Sequence, residues 1–158
     1  MQSDEVILMF FYKHTRQIKN TGDGIKSAQI KMILPYLFIA PTVAMGRGVF
    51  TNEPIAKDTV IEIAPVIVMG GADRQKIDET LLHDYIFEWG EGKNECCMAL
   101  GYVPIYNHSY LSNCEYEMDF AAQTITITTM REINAGEELF INYNGDWNDD
   151  KLVWFDTL

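Results

Sequence analysis

The chain has 158 residues, a single-domain length, and 47% hydrophobic with 12% aromatic residues is ample for one core. Twelve Lys plus Arg against twenty-three Asp plus Glu give a formal charge of -11, which works against attraction to a nucleic-acid backbone and suits a basic partner. An acidic surface also keeps a protein soluble, so charge alone selects no function.

Residues 1–31 differ from the rest. An apolar run, Val6 to Tyr12, follows Asp4 and Glu5; at seven residues it is too short for a membrane span and lacks the basic flank of a signal peptide. Lys13, His14, Arg16, Lys19, Lys26 and Lys31 then surround a Gly22-Asp23-Gly24 turn, making this the basic end of an acidic chain. Such a stretch reads as an extra strand, a loose arm or residues upstream of the true start, and a dispensable extension is the favoured expectation.

From Leu34 onward the chain is dense in short β-type runs. Strands are expected at Tyr36 to Ile39, Gly48 to Thr51, Thr59 to Val68, Ile125 to Thr129 and Leu139 to Asn142, bounded by turn residues such as Pro35, Pro41, Pro54 and Asn134-Ala135-Gly136. The clearest helical pattern is Ala72 to Tyr85, where Ile77, Leu81, Leu82 and Tyr85 fall on one face. Cys96, Cys97 and Cys114 cannot pair completely, which favours a reducing compartment, and their scatter lacks the four-ligand spacing of a structural zinc site. Asp146 to Leu158 is a polar turn followed by an aromatic tail with Trp154 and Phe155.

Three short motifs carry chemical content. Gly46-Arg47-Gly48-Val49-Phe50 sets a glycine pair on a turn into a strand, where backbone can approach a ligand closely. Asn107-His108-Ser109, with Asn113 beyond it, ends an apolar stretch and offers both donors and acceptors. Gly136 to Tyr143 is an acidic turn feeding a strand that ends on a tyrosine. Taken alone, each is a weak signal that reads first as an ordinary turn, a satisfied histidine or a core tyrosine.

In this order the three strings resemble the SET domain of protein lysine methyltransferases, from about Leu34 to Tyr143. The family's G-x-G is met by Gly46 and Gly48, its N-H-S-C-x-P-N by Asn107, His108, Ser109 and Asn113, and its G-E-E-L-x-x-x-Y by Gly136 to Tyr143. Tyr110 and Ser112 stand where the family has cysteine and proline. The zinc-binding cysteines that follow the domain in many relatives are missing, since no cysteine follows Cys114.

The resemblance implies a mainly β fold with short helices, the β-clip-like SET fold of several small sheets, with a threaded C-terminal segment that brings Asn107-His108 beside Tyr143. It implies an extension at 1–31, the SET domain at 32–145, and an aromatic tail at 146–158 that closes the site. S-adenosylmethionine is the implied cofactor, held by Gly46, Arg47, Gly48, Asn107, His108, Tyr143 and Trp147, with Tyr143 as the catalytic tyrosine. Tyr102 and Tyr106 are candidates for the walls of a lysine channel, with a core role equally open to each. The implied partner is a lysine-containing, basic protein, with no metal, membrane or direct nucleic-acid contact; an inactive interaction module and an aromatic dimer interface are the competing readings. The setting would be cytoplasmic in a bacterium and nuclear or cytoplasmic in a eukaryote.

Overall fold

The computed structural model describes residues 33–90 and 92–153. The Val6 to Tyr12 run, Trp154 and Phe155 lie outside them.

Two sheets organise the described residues. The first has the order β1-β2-β9-β6, built from β1 (Leu37–Pro41), β2 (Arg47–Thr51), β9 (Glu138–Ile141) and β6 (Asn107–His108). The second has the order β4-β5-β3-β8-β7, from β4 (Phe87–Trp89), β5 (Glu95–Ala99), β3 (Val60–Met69), β8 (Thr124–Thr129) and β7 (Cys114–Asp119). Period-two patterning explains which faces are buried. In β8 the isoleucines Ile125 and Ile127 point inward between half-covered threonines, and in β9 Leu139 and Ile141 do the same. These side chains meet Val49, Ile61, Val103 and Tyr106 in one core between the sheets.

All five expected strands form, each within two residues of its expected ends. The fold is that of several small sheets with one α-helix among the described residues. The helical expectation is corrected: Ala72 to Tyr85 is not one helix. α1 (Gly71–Ile77) stops at Asp78, the chain extends at Thr80, and a separate 3-10 turn covers Leu81–Tyr85. The Thr80 hydroxyl caps the second piece by accepting the Leu82 N–H at 3.2 Å. No residue of either piece is buried, and Leu81 is 75% exposed, so the apolar stripe found no core to hold a continuous helix together.

The C-terminal segment is threaded. β9 lies between β2 and β6 and pairs with β6 in parallel, Asn107 opposite Phe140 and His108 opposite Ile141. The loop after β6 then grips the strand from the other side. Asn113, buried, accepts the Phe140 N–H on Oδ1 at 2.8 Å and donates from Nδ2 to the Glu138 carbonyl at 2.8 Å. Further along, Ser112 donates its hydroxyl to the Trp147 carbonyl at 2.9 Å, and the Val153 N–H donates to the Tyr110 hydroxyl at 2.9 Å. Tyr110 and Ser112, the two departures from the family motif, are therefore among the side chains that hold the chain beyond β9, with Asn142 and Asn144.

Candidate active site

The turn between β1 and β2 is closed by the Thr42 N–H donating to the Gly46 carbonyl at 2.9 Å. Its two glycines are needed for different reasons. Gly46 has φ +74, the left-handed region that disfavours a side chain. At Gly48 a Cβ would overlap the Glu138 carboxylate and crowd the Asn107 amide. Backbone, an amide and an acid thus converge on the start of β2.

Asn107 is oriented by two acceptors. Its Nδ2 donates to the Arg47 carbonyl at 3.1 Å and to Glu138 Oε1 at 2.7 Å. Both amide protons are spent inside the protein, which leaves Oδ1 as the group Asn107 can offer to a ligand, an acceptor suited to an ammonium. The neighbouring His108 accepts the Tyr143 backbone N–H on Nδ1 at 3.1 Å. Its ring stands edge-on to Tyr110 at 4.4 Å between centroids and tilted against Tyr143 at 5.2 Å.

Tyr143 is 40% exposed as a residue, but its hydroxyl turns inward and donates to the Tyr106 carbonyl at 2.9 Å. Burial first, and then the electrostatic influence of neighbouring Tyr85 and Asp84, push this phenol above its ordinary value of 10.0. At neutral pH it is a protonated hydroxyl that orients neighbours and does not abstract protons.

Two cavities flank this tyrosine. A groove of about 1100 Å³ is lined by Phe87, Tyr116, Leu152 and Val153 among others. A smaller cavity of about 260 Å³ is lined by Met45, Gly46, Arg47, Ile105 and Asn107. Asp84, Tyr85, Pro104 and Tyr143 line both, so the two spaces adjoin across a shared wall that includes Tyr143. Such an arrangement can admit two different molecules from opposite sides and bring their reacting ends to one hydroxyl.

Residues 46–144 match the family model described as the SET domain. The chain belongs to the SET-domain family. Over 129 residues it is 37% identical to a Schizosaccharomyces pombe protein named histone-lysine N-methyltransferase, H3 lysine-37 specific, a match covering 81% of this chain and 82% of that one. A crystal structure described as a "Plasmodium falciparum putative histone methyltransferase" aligns with a TM-score of 0.52 at 29% identity, covering 74% of this chain and 100% of the other. The expected family, fold and enzyme class, a lysine methyltransferase, are met.

Within this SET domain, the expected cofactor residues Gly46, Gly48, Arg47, Asn107 and Tyr143 are brought together, and His108 supports Tyr143 from behind. Trp147 lines neither cavity and is half-exposed, tied down through its carbonyl. The channel candidates fall differently. Tyr106 is a core residue at 1% exposure whose hydroxyl donates to Glu62, although it also borders the groove. Tyr102 lines neither cavity, and packs against the core.

Asp84, Tyr85 and Tyr116 are wall residues that sequence reasoning missed. Asp84 and Tyr85 sit between His83 and Ile86, and Tyr116 between Glu115 and Glu117, patterns that carry no distinctive signal. Of the acids facing the groove, Glu88 is compensated by Arg74 at 3.2 Å and Lys93 at 3.3 Å, and Asp78 by Arg74 at 3.9 Å, with His83 Nδ1 at 3.0 Å from Asp78. The three cysteines are buried, and burial pushes Cys97 and Cys114 up to about 12, so neither is a nucleophile at neutral pH. Among the described residues no group of three His, Cys, Asp or Glu is arranged around a metal site.

Proposed function

We propose that this chain uses S-adenosylmethionine to methylate a lysine side chain of a basic protein, with histones the first substrates to test. The observation that carries this reading is the wall, including Tyr143, that the two cavities share. The smaller cavity fits the amino-acid end of the cofactor: glycine backbone lets it approach, and Asn107 has only an acceptor left for its ammonium. At about 260 Å³ this space is near the ~300 Å³ at which small-molecule pockets begin, so a ligand of that size would extend beyond it. Bound there, S-adenosylmethionine supplies a methyl group on a positively charged sulfur.

The larger groove would take the peptide. A lysine has an ordinary pKa of about 10.4, so roughly one in 10³ is neutral at pH 7, and the site must favour the uncharged amine. Tyr85, Phe87 and Tyr116 do this by desolvating it. Asp84, which lines both spaces, attracts the ammonium form toward the channel. Tyr143 keeps its proton and fixes where the amine stops. Much of the rate enhancement in such a transfer comes from alignment, which rigid support of one hydroxyl provides. A nuclear or cytoplasmic setting accompanies a histone substrate.

The test is mass spectrometry of histones and ribosomal proteins incubated with the full chain and methyl-labelled S-adenosylmethionine, alongside calorimetry of the cofactor. Label on a lysine with measurable cofactor binding supports the reading. Absence of cofactor binding at millimolar concentration would favour an interaction module.

A further inference from the structure

One buried acid in the core has no part in either cavity. Glu62 on β3 is 1% exposed and shares the inward face of Ala64 and Val66. The β3–β8 register shifts between Val60 and Glu62, an irregularity of the kind that re-aims a side chain. Its carboxylate is wrapped by one short segment. Oε1 accepts the N–H of Tyr102 at 2.7 Å and of Val103 at 3.3 Å, and Oε2 accepts the Tyr106 hydroxyl at 3.1 Å. Gly101 makes the approach feasible, for it has φ +111 and a Cβ there would run into Glu62 Oε1.

A buried carboxylate is an expensive way to fill a core, and well-packed apolar residues often hold a fold as firmly. What the acid adds is geometry. Tyr106, gripped by Glu62 through its side chain, presents its carbonyl to the Tyr143 hydroxyl at 2.9 Å, and the next residue, Asn107, begins β6. One carboxylate therefore fixes the turn that aims the tyrosine, while Asn107 keeps its own anchors on Arg47 and Glu138. We propose that Glu62 is a positioning residue for methyl transfer: it holds the Gly101 to Tyr106 turn so that the Tyr106 carbonyl keeps the Tyr143 hydroxyl at the wall the two cavities share. Glu62 lines neither cavity and acts only through these residues. This role rests on the methyltransferase reading, but the geometry it describes can be measured without turnover.

Glu62→Gln preserves shape and an acceptor for the two N–H groups, while its amide must donate to the Tyr106 hydroxyl that formerly donated to the acid. The expected result is a kcat lower by on the order of tenfold to hundredfold, with cofactor Kd and peptide KM within about twofold of the parent. Tyr106→Phe breaks the same link and carries the test if Glu62→Gln does not fold. Combined with Tyr143→Phe in single-turnover assays, Glu62→Gln should cost nothing further, because the hydroxyl it positions is already gone. In tyrosine 13Cζ spectra, the Tyr143 resonance, assigned by its loss in Tyr143→Phe, should shift in Glu62→Gln and in Tyr106→Phe. An unmoved Tyr143 resonance, an unchanged kcat, or a loss that adds fully to that of Tyr143→Phe overturns the proposal. A parent chain that methylates no basic protein fails the methyltransferase reading instead, since the resonance still reports the Tyr143 hydrogen bond.

Discussion

His108 Nδ1 accepts the backbone N–H of Tyr143 at 3.1 Å, joining residues thirty-five positions apart. Because Nδ1 accepts, the ring proton is assigned to Nε2. His108→Ala would remove that acceptor and the ring that stands edge-on to Tyr110 and tilted against Tyr143. The expected cost is about 1–3 kcal/mol in urea unfolding, together with reduced turnover at temperatures where the variant is still folded. Parent-like stability would show that the ring is dispensable.

Tyr143→Phe removes the hydroxyl donated to Tyr106 with little change in volume. Turnover should fall by about 10²–10³, the usual cost of losing one preorganised hydrogen-bonding group at a reacting centre, while melting temperature and cofactor affinity hold. Since this phenol sits above 10.0, losing its proton should not limit activity anywhere below that pH. Undiminished turnover in the variant removes Tyr143 from the reaction.

Tyr110→Phe keeps the ring against His108 but deletes the acceptor for the Val153 N–H. Loss of one such bond is worth about 1 kcal/mol, too little to unfold the core. Residues 151–153 line the groove and should exchange amide protons faster in hydrogen-exchange measurements, with a higher KM for peptide. Unaltered exchange at Val153 would mean that other contacts hold the segment.

Much of the fold was legible because several strands announce themselves twice, by composition and by period. Thr124 to Thr129 alternates isoleucine with threonine, and Leu139 to Asn142 alternates apolar core positions before ending on a polar residue. β7 alternates as cleanly, Cys114, Tyr116 and Met118 against Glu115, Glu117 and Asp119, but its acids are poor strand formers and hid the pattern. The long helix was over-read because a helical stripe signals only potential burial, and no partner surface covers Leu81. Within the site, motif residues were found because their order is distinctive. Asp84 and Tyr85 were not, since tertiary packing alone carries that turn to Tyr143. Glu62 was readable as an acid on the inward face of a strand, though not what it grips.

Glu137 makes stability depend on acid pH. The Arg131 guanidinium at 2.8 Å, helped by Asn134, holds its carboxyl down to about 2 from an ordinary 4.5. A depressed carboxyl contributes stability that is present above 4.5 and lost as pH falls toward about 2. Thermal melts from pH 6 to pH 2 should therefore show a decline below about 4.5 that is shallower in Glu137→Gln. The partly solvent-facing pair should make this contribution modest and salt-sensitive. Parallel curves for the two proteins would assign the decline to other carboxylates.

Removing residues 146–158 tests whether the segment beyond β9 is a separable lid. Lys151, Leu152 and Val153 line the groove, so peptide turnover should be lost. The segment also serves the core, because the buried Asn142 donates from Nδ2 to the Asp149 carbonyl at 2.6 Å and Val153 is only 6% exposed. Deletion strips that amide of its acceptor, at a cost of about 1–3 kcal/mol, and uncovers the surface beneath Val153. The truncated chain should thus still fold, but melt several degrees lower as well as lose activity. Asn142→Ala within the full chain separates the two effects: it should lower stability while the Tyr110 clamp on Val153 keeps the groove closed and turnover largely intact. Light scattering on both proteins excludes a change of assembly as the cause. If the truncated protein becomes monomeric from a parent dimer and keeps its cofactor affinity and turnover, the segment is a subunit interface and not a wall of the groove.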